Sequence, residues 1–118
     1  MSIQGYRDLI VWQRAMDLVE TVYRVTRAWP KDELYGLTNQ MRRAVVSIPA
    51  NIAEGQGRTG AKELAHHLSI ANGSLCEVET FVLISHRLGY SDERACQQLM
   101  AQTTEVAKLV GGLLRSLH

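Results

Sequence analysis

Residues 41–55 read Met41-Arg42-Arg43-Ala44-Val45-Val46-Ser47-Ile48-Pro49-Ala50-Asn51-Ile52-Ala53-Glu54-Gly55, and two helical patterns run through them. Together with Leu37, the residues Met41, Ala44, Val45, Ile48 and Ile52 recur at three- and four-residue steps, the spacing of one helix face. Arg43, Ser47, Asn51 and Glu54 stand at i, i+4, i+8 and i+11 and form a polar ridge beside that face. Pro49 removes a hydrogen bond to Val45 and crowds its carbonyl, which predicts a kink near Val45 to Pro49 rather than a break. Gly55 and Gly57 then supply a stop, with the positive φ that a helix end uses. A helix over about 34–55 follows.

The same reading extends in both directions. Upstream, Leu9, Trp12, Met16, Val19, Val22 and Tyr23 mark an inward stripe on a helix over about 8–28, which ends near Trp29-Pro30. Asp32 and Glu33 then suit the N-terminus of the next helix, where the backbone dipole favours negative charge. Downstream, Thr59 is a candidate N-cap for a helix over about 60–88 with Leu64, Leu68, Ala71, Leu75, Val78, Val82 and Ser85 inward, ending at Leu88-Gly89. Ser91 is a candidate cap for a fourth helix over about 91–117, with Ala95, Leu99, Val106, Leu109, Val110, Leu113 and Leu117 inward. Short connections make neighbours antiparallel, so the expected fold is all-α: an up-down-up-down four-helix bundle of 118 residues in one domain. Ile10, Val11, Leu18, Val46, Ile70, Phe81 and Leu83 lie off the stripes, more apolar surface than one core needs, as contacts between subunits would require.

Composition narrows the function classes. Hydrophobic residues at 46% and charged residues at 21% are globular values, and a net charge of +1 excludes a polycation that holds nucleic acid by bulk charge. Met1-Ser2-Ile3-Gln4-Gly5 lacks the basic start and apolar run of a signal peptide, and no stretch approaches the roughly 18 apolar residues of a membrane span. A cytoplasmic protein without membrane contact is expected. Cys76 and Cys96 lack CxxC spacing and read as small core residues in a reducing compartment.

Candidate chemistry is sparse. The ridge of Arg43, Ser47, Asn51 and Glu54 is either a binding row or a hydrogen-bonded network that fixes helix register. Glu63 and His66 have Glu-x-x-His spacing, and Glu77, Glu79, Ser74 and His67 are near in sequence, but a bundle di-iron site needs a second such motif. His66 and His67 point about 100° apart, so at most one faces the core, and surface or boundary positions are expected. No GxxxxGK[ST], GxGxxG or GxSxG motif occurs, so no enzyme, metal or cofactor is expected. The first 58 residues hold 8 Lys and Arg against 6 Asp and Glu, with Arg42, Arg43 and Arg58 flanking the second helix. Repeated around an oligomer, these three arginines would make a nucleic-acid-binding patch.

Several runs together resemble a known family: Tyr6-Arg7-Asp8-Leu9 with Val11-Trp12, Tyr35-Gly36-Leu37-Thr38, and Arg42 to Gly55 with its Ser47-Ile48-Pro49-Ala50-Asn51-Ile52-Ala53-Glu54-Gly55 core. Gly73-Ser74-Leu75-Cys76-Glu77-Val78-Glu79-Thr80 and Leu88-Gly89-Tyr90 extend the likeness over almost the whole chain. It is similar to the four-helix bundle proteins encoded in intervening sequences of bacterial 23S ribosomal RNA genes. The resemblance implies a ring-like homopentamer, similar to the accessory protein of diversity-generating retroelements, which binds nucleic acid and a reverse transcriptase. The leading expectation is a non-enzymatic homo-oligomeric scaffold for structured RNA, DNA or a ribonucleoprotein partner; the alternative is a protein-interaction module that binds no nucleic acid.

Overall fold

Four α-helices carry the chain: α1 Ile10–Thr26, α2 Leu37–Gly57, α3 Ala61–Arg87 and α4 Glu93–Ser116, with no strand among the described residues. The computed structural model describes residues 5–117, so Met1 to Gln4, on which the signal-peptide reading rests, lie outside the described residues. Short 3-10 turns, Gly5–Asp8 and Lys31–Glu33, precede α1 and α2, which begin at Ile10 and Leu37 rather than near 8 and 34. The molecule measures 43 × 22 × 20 Å, and the 27 residues of α3 at about 1.5 Å rise span most of the long axis. All helices therefore run lengthwise.

Cross-helix pairs fix their directions. Arg24 bonds Gln98 while Arg14 approaches Glu105, so α1 and α4 are antiparallel. Arg42, near the start of α2, bonds Thr26 at the end of α1. Along α2 and α3, Ser47 meets Ser74 and Asn51 meets His67, again in opposite senses. The fourth pair, α3 and α4, follows. Each helix touches its two neighbours in the order α1, α2, α3, α4 and back to α1. The result is the up-down-up-down bundle.

The core is a single cluster built from all four helices, with Leu18, Met41, Ile48, Ile52, Leu68 and Leu99 among its fully buried side chains. The inward stripes of α2 and α3 are as read from the sequence, Leu64 being half-buried. That of α1 is not: Val11, Ala15, Leu18, Thr21, Val22 and Thr26 are buried, while Met16 is 38% exposed. Val11 and Leu18, read as off-stripe, are core residues. Small Ala15 and Thr21 let α1 approach its neighbours on a face that large residues alone do not mark.

Several helix ends also differ from expectation. Thr59 is exposed and Gly60, at φ 93°, is the residue that precedes α3. Asp92, not Ser91, caps α4, its Oδ1 accepting the Ala95 amide at 2.8 Å. Gly55 and Gly57 are helical rather than positive-φ; among the described residues only Gly60 and Gly89 have positive φ. At Gly89, as read from the sequence, the Gly89 amide bonds the His86 carbonyl and the Tyr90 amide the Ser85 carbonyl, the paired bonds of a Schellman stop. Helix α2 runs through Pro49 without interruption. Helix α3 meets the length and mean hydropathy (1.2) of a membrane span, contrary to the sequence reading, because Ile70, Leu83 and Ile84 add to its buried side. Its Leu68, Ala71, Leu75, Val78 and Val82 face the bundle core.

Candidate functional site

The polar ridge of α2 lies against α3. Ser47 donates to the Ala44 carbonyl and shares a short hydrogen bond with Ser74, so the two hydroxyls join the helices midway. One turn on, the Asn51 amide nitrogen donates to the Ser47 carbonyl at 2.9 Å, leaving Asn51 Oδ1 to accept. His67 Nδ1 is 3.0 Å from that oxygen and must therefore carry the proton it donates. His67 is only 9% exposed, against the boundary position expected, whereas neighbouring His66 is exposed. Ser47 and Asn51 are thus committed to cross-links that set the register of two helices.

The ends of the ridge differ. Glu54 bonds Arg58 at 2.7 Å, and this bond, then the nearby His67, holds its carboxyl below the usual carboxylate value; the same bond raises Arg58 further. Arg43 is exposed and lines a groove of about 440 Å³ between α2 and α3, with Ser47, Ser74, Glu77, Ile70 and Phe81. Gly55 closes the other end: a Cβ there would sit 2.8 Å from His67 Cβ and 3.2 Å from Leu64 Cδ1. The glycine serves close helix approach.

The structure does not gather Arg42, Arg43 and Arg58 into one patch. Arg42 turns to α1, its guanidinium 4.7 Å from the Tyr23 ring centre and its Nε bonded to Thr26 Oγ1 at 3.0 Å. Arg43 turns to α3, and Arg58, sixteen residues beyond Arg42 and about 24 Å along the helix, is paired with Glu54. Arg42 instead joins Arg27 and Lys31 around a cleft of about 300 Å³ at the α1–α2 turn, floored by Trp29, Pro30 and Leu34. Arg27 and Lys31 carry no local motif. Only folding the turn back onto α2 brings them to Arg42.

That turn is braced against the α3–α4 turn. The buried indole nitrogen of Trp29 donates to Ser91 Oγ at 2.8 Å, which is the role Ser91 has in place of capping α4. Glu33 accepts the Leu37 amide at 3.1 Å and the Tyr90 hydroxyl at 2.8 Å. These bonds lower its pKa below 4.5, the amide contributing most, and the carboxylate raises that of Tyr90 above 10.0. Glu33 thereby performs the helix-start role read for the acidic pair.

Nucleophile and metal candidates are dispersed. Cys76 is exposed, not in the core as expected, while Cys96 is buried and its thiol is pushed up by desolvation and then by Glu93 and Asp92. Glu63 and His66 are both exposed, as are Glu77 and Glu79. Among the described residues no group of three or more His, Cys, Asp or Glu is placed to hold a metal ion.

No curated protein matches the chain. The sequence profile of the 23S rRNA-intervening sequence protein family matches residues 7–112, nearly the full length of the bundle, and the chain belongs to that family.

Proposed function

We propose that this protein is a non-enzymatic, cytoplasmic scaffold that assembles with copies of itself and holds structured RNA, or a ribonucleoprotein partner, on arginine side chains. One observation carries the reading: large apolar side chains remain outside the core on an otherwise well-packed bundle. Ile70, Leu83 and Ile84 on α3, Leu88 at its C-terminal cap, Val46 on α2 and Ile10 and Met16 on α1 are all at least 36% exposed. Apolar surface left on more than one helix face is what subunits in a ring would cover. The resemblance to ring-forming bundle proteins makes a homopentamer the expected assembly. Repetition would multiply the cations of each subunit into the phosphate contacts that one nearly neutral chain lacks.

Native mass spectrometry tests assembly: a pentamer is expected, and a monomer at micromolar concentration overturns the scaffold. A salt-series titration of structured RNA and duplex DNA tests the rest, comparing the native chain with the Arg42→Ala, Arg43→Ala, Arg58→Ala triple variant. Binding with a steep salt slope, flattened in a folded variant, is the expected result. A second reading has its own support in the α2–α3 groove, where Arg43 and Glu77 offer both charges beside Ile70 and Phe81. That lining suits a protein segment, and no nucleic-acid binding even at low salt would favour it.

A further inference from the structure

We infer that the cleft at the α1–α2 turn binds a nucleoside phosphate, as a free nucleotide or as the terminal nucleotide of an RNA strand. The inference deepens the RNA-binding reading above and rests on it for the choice of a nucleoside over other aryl phosphates. Three cations stand around one concavity, and none of Arg27, Lys31 and Arg42 forms an ion pair among the described residues. The acidic neighbours do not cancel them. Glu33 is engaged by the Leu37 amide and the Tyr90 hydroxyl, and Asp32 forms no ion pair with Lys31.

Arg42 is also held in advance. Stacking on Tyr23 and the Nε bond to Thr26 fix the guanidinium, while its two terminal nitrogens make no hydrogen bond among the described residues. A fixed fork loses little entropy on taking an oxyanion. Thr38 supplies a second unused group. It is 3% exposed and lines the cleft, and its hydroxyl makes no hydrogen bond among the described residues. Lining the cleft with its hydroxyl uncommitted, it can donate to a ligand oxygen.

The floor sets the rest of the ligand. Trp29 has its one donor committed to Ser91, so with Pro30 and Leu34 it offers carbon surface alone. A bare inorganic anion would leave that floor wet, and an uncharged apolar ligand would leave three cations uncompensated. At about 300 Å³ the cleft is at the lower end of small-molecule sites, room for one nucleotide and not for a peptide helix. Tyr35, next to Leu34 and 91% exposed, is a stacking surface for an adjoining base.

The test is a two-dimensional amide NMR titration of the full chain in its native assembly with adenosine 5′-monophosphate, adenosine, inorganic phosphate and a short 5′-phosphorylated single-stranded RNA. The monophosphate is expected to shift the Trp29 indole N–H and the Lys31 and Thr38 amides saturably, with adenosine and phosphate each at least tenfold weaker. Arg27→Ala with Lys31→Ala should weaken it tenfold or more, and both side chains are exposed with no hydrogen bond or ion pair among the described residues. Thr38→Val, close to isosteric, should weaken it severalfold. Tighter binding of the RNA than of the monophosphate identifies a strand end as the source; the reverse identifies a free nucleotide. Absence of cleft shifts with either, phosphate binding as tightly as the monophosphate, or undiminished binding by the double variant overturns the inference. A structured RNA lacking a terminal phosphate separates the two readings. If it binds without cleft shifts, the inference alone fails; cleft shifts without its binding remove the RNA scaffold instead.

Discussion

At Gly55 a hydrogen atom is all the side chain that the approach of α2 to α3 admits. The obstructing atom, His67 Cβ at 2.8 Å from where an alanine methyl would lie, is anchored to its own backbone and cannot rotate away. Gly55→Ala is therefore expected to destabilise by about 1–3 kcal/mol, the usual result of overfilling a packed contact, in spite of alanine's better helix propensity. Urea denaturation measures it, and a variant as stable as the native chain would show that the helices separate freely. How far such roles are legible depends on what sets them. Gly89 is readable because its positive φ and its hydrogen bonds involve only the preceding turn. Gly55 is misread as a stop because its partner is twelve residues away on another helix. Ser91 and Asp92 are both good caps in isolation, and Trp29, 62 residues distant from Ser91, decides between them.

Among the elements, the Lys31–Glu33 turn has a pH-dependent tie. Glu33 has a folded pKa below its ordinary 4.5, so its contribution is complete above 4.5 and is lost as pH falls through the folded value. Tyr90 has a folded pKa above 10.0, so its contribution is complete below 10.0 and is lost as pH rises through the folded value. Between these limits the tie is intact. Thermal melts of the native chain and Glu33→Gln should differ in Tm near neutrality and converge in acid; a gap independent of pH would remove the carboxylate from this role. Stripe phase was legible for α2 and α3, whose buried positions are mostly large apolar residues, and not for α1, where Ala15, Thr21 and Thr26 hold buried positions that such residues do not mark. The polar ridge was visible as spacing. Its partners Ser74 and His67 belong to another helix and emerge only when the two are laid together.

For the whole molecule, the fold class followed from periodicity and short connections, while the grouping of cations did not. Arg42 and Arg43 are adjacent in sequence and serve different faces, whereas Arg27 and Lys31 reach Arg42 through the turn. The clasp formed by Trp29 with Ser91 and Glu33 with Tyr90 joins residues 62 and 57 apart, far more distant than the three residues linking α2 to α3. Contacts that close such long loops form after local ones, so the α2–α3 hairpin is expected in the folding nucleus and the clasp outside it. Trp29→Phe leaves Ser91 without its donor and should cost about 1–3 kcal/mol. In stopped-flow experiments that loss should appear as faster unfolding with the refolding rate nearly unchanged; slower refolding would place the clasp in the nucleus. The two turns then act as a kinetic lock: they set how long the native bundle persists once formed, and have little part in how quickly it is found.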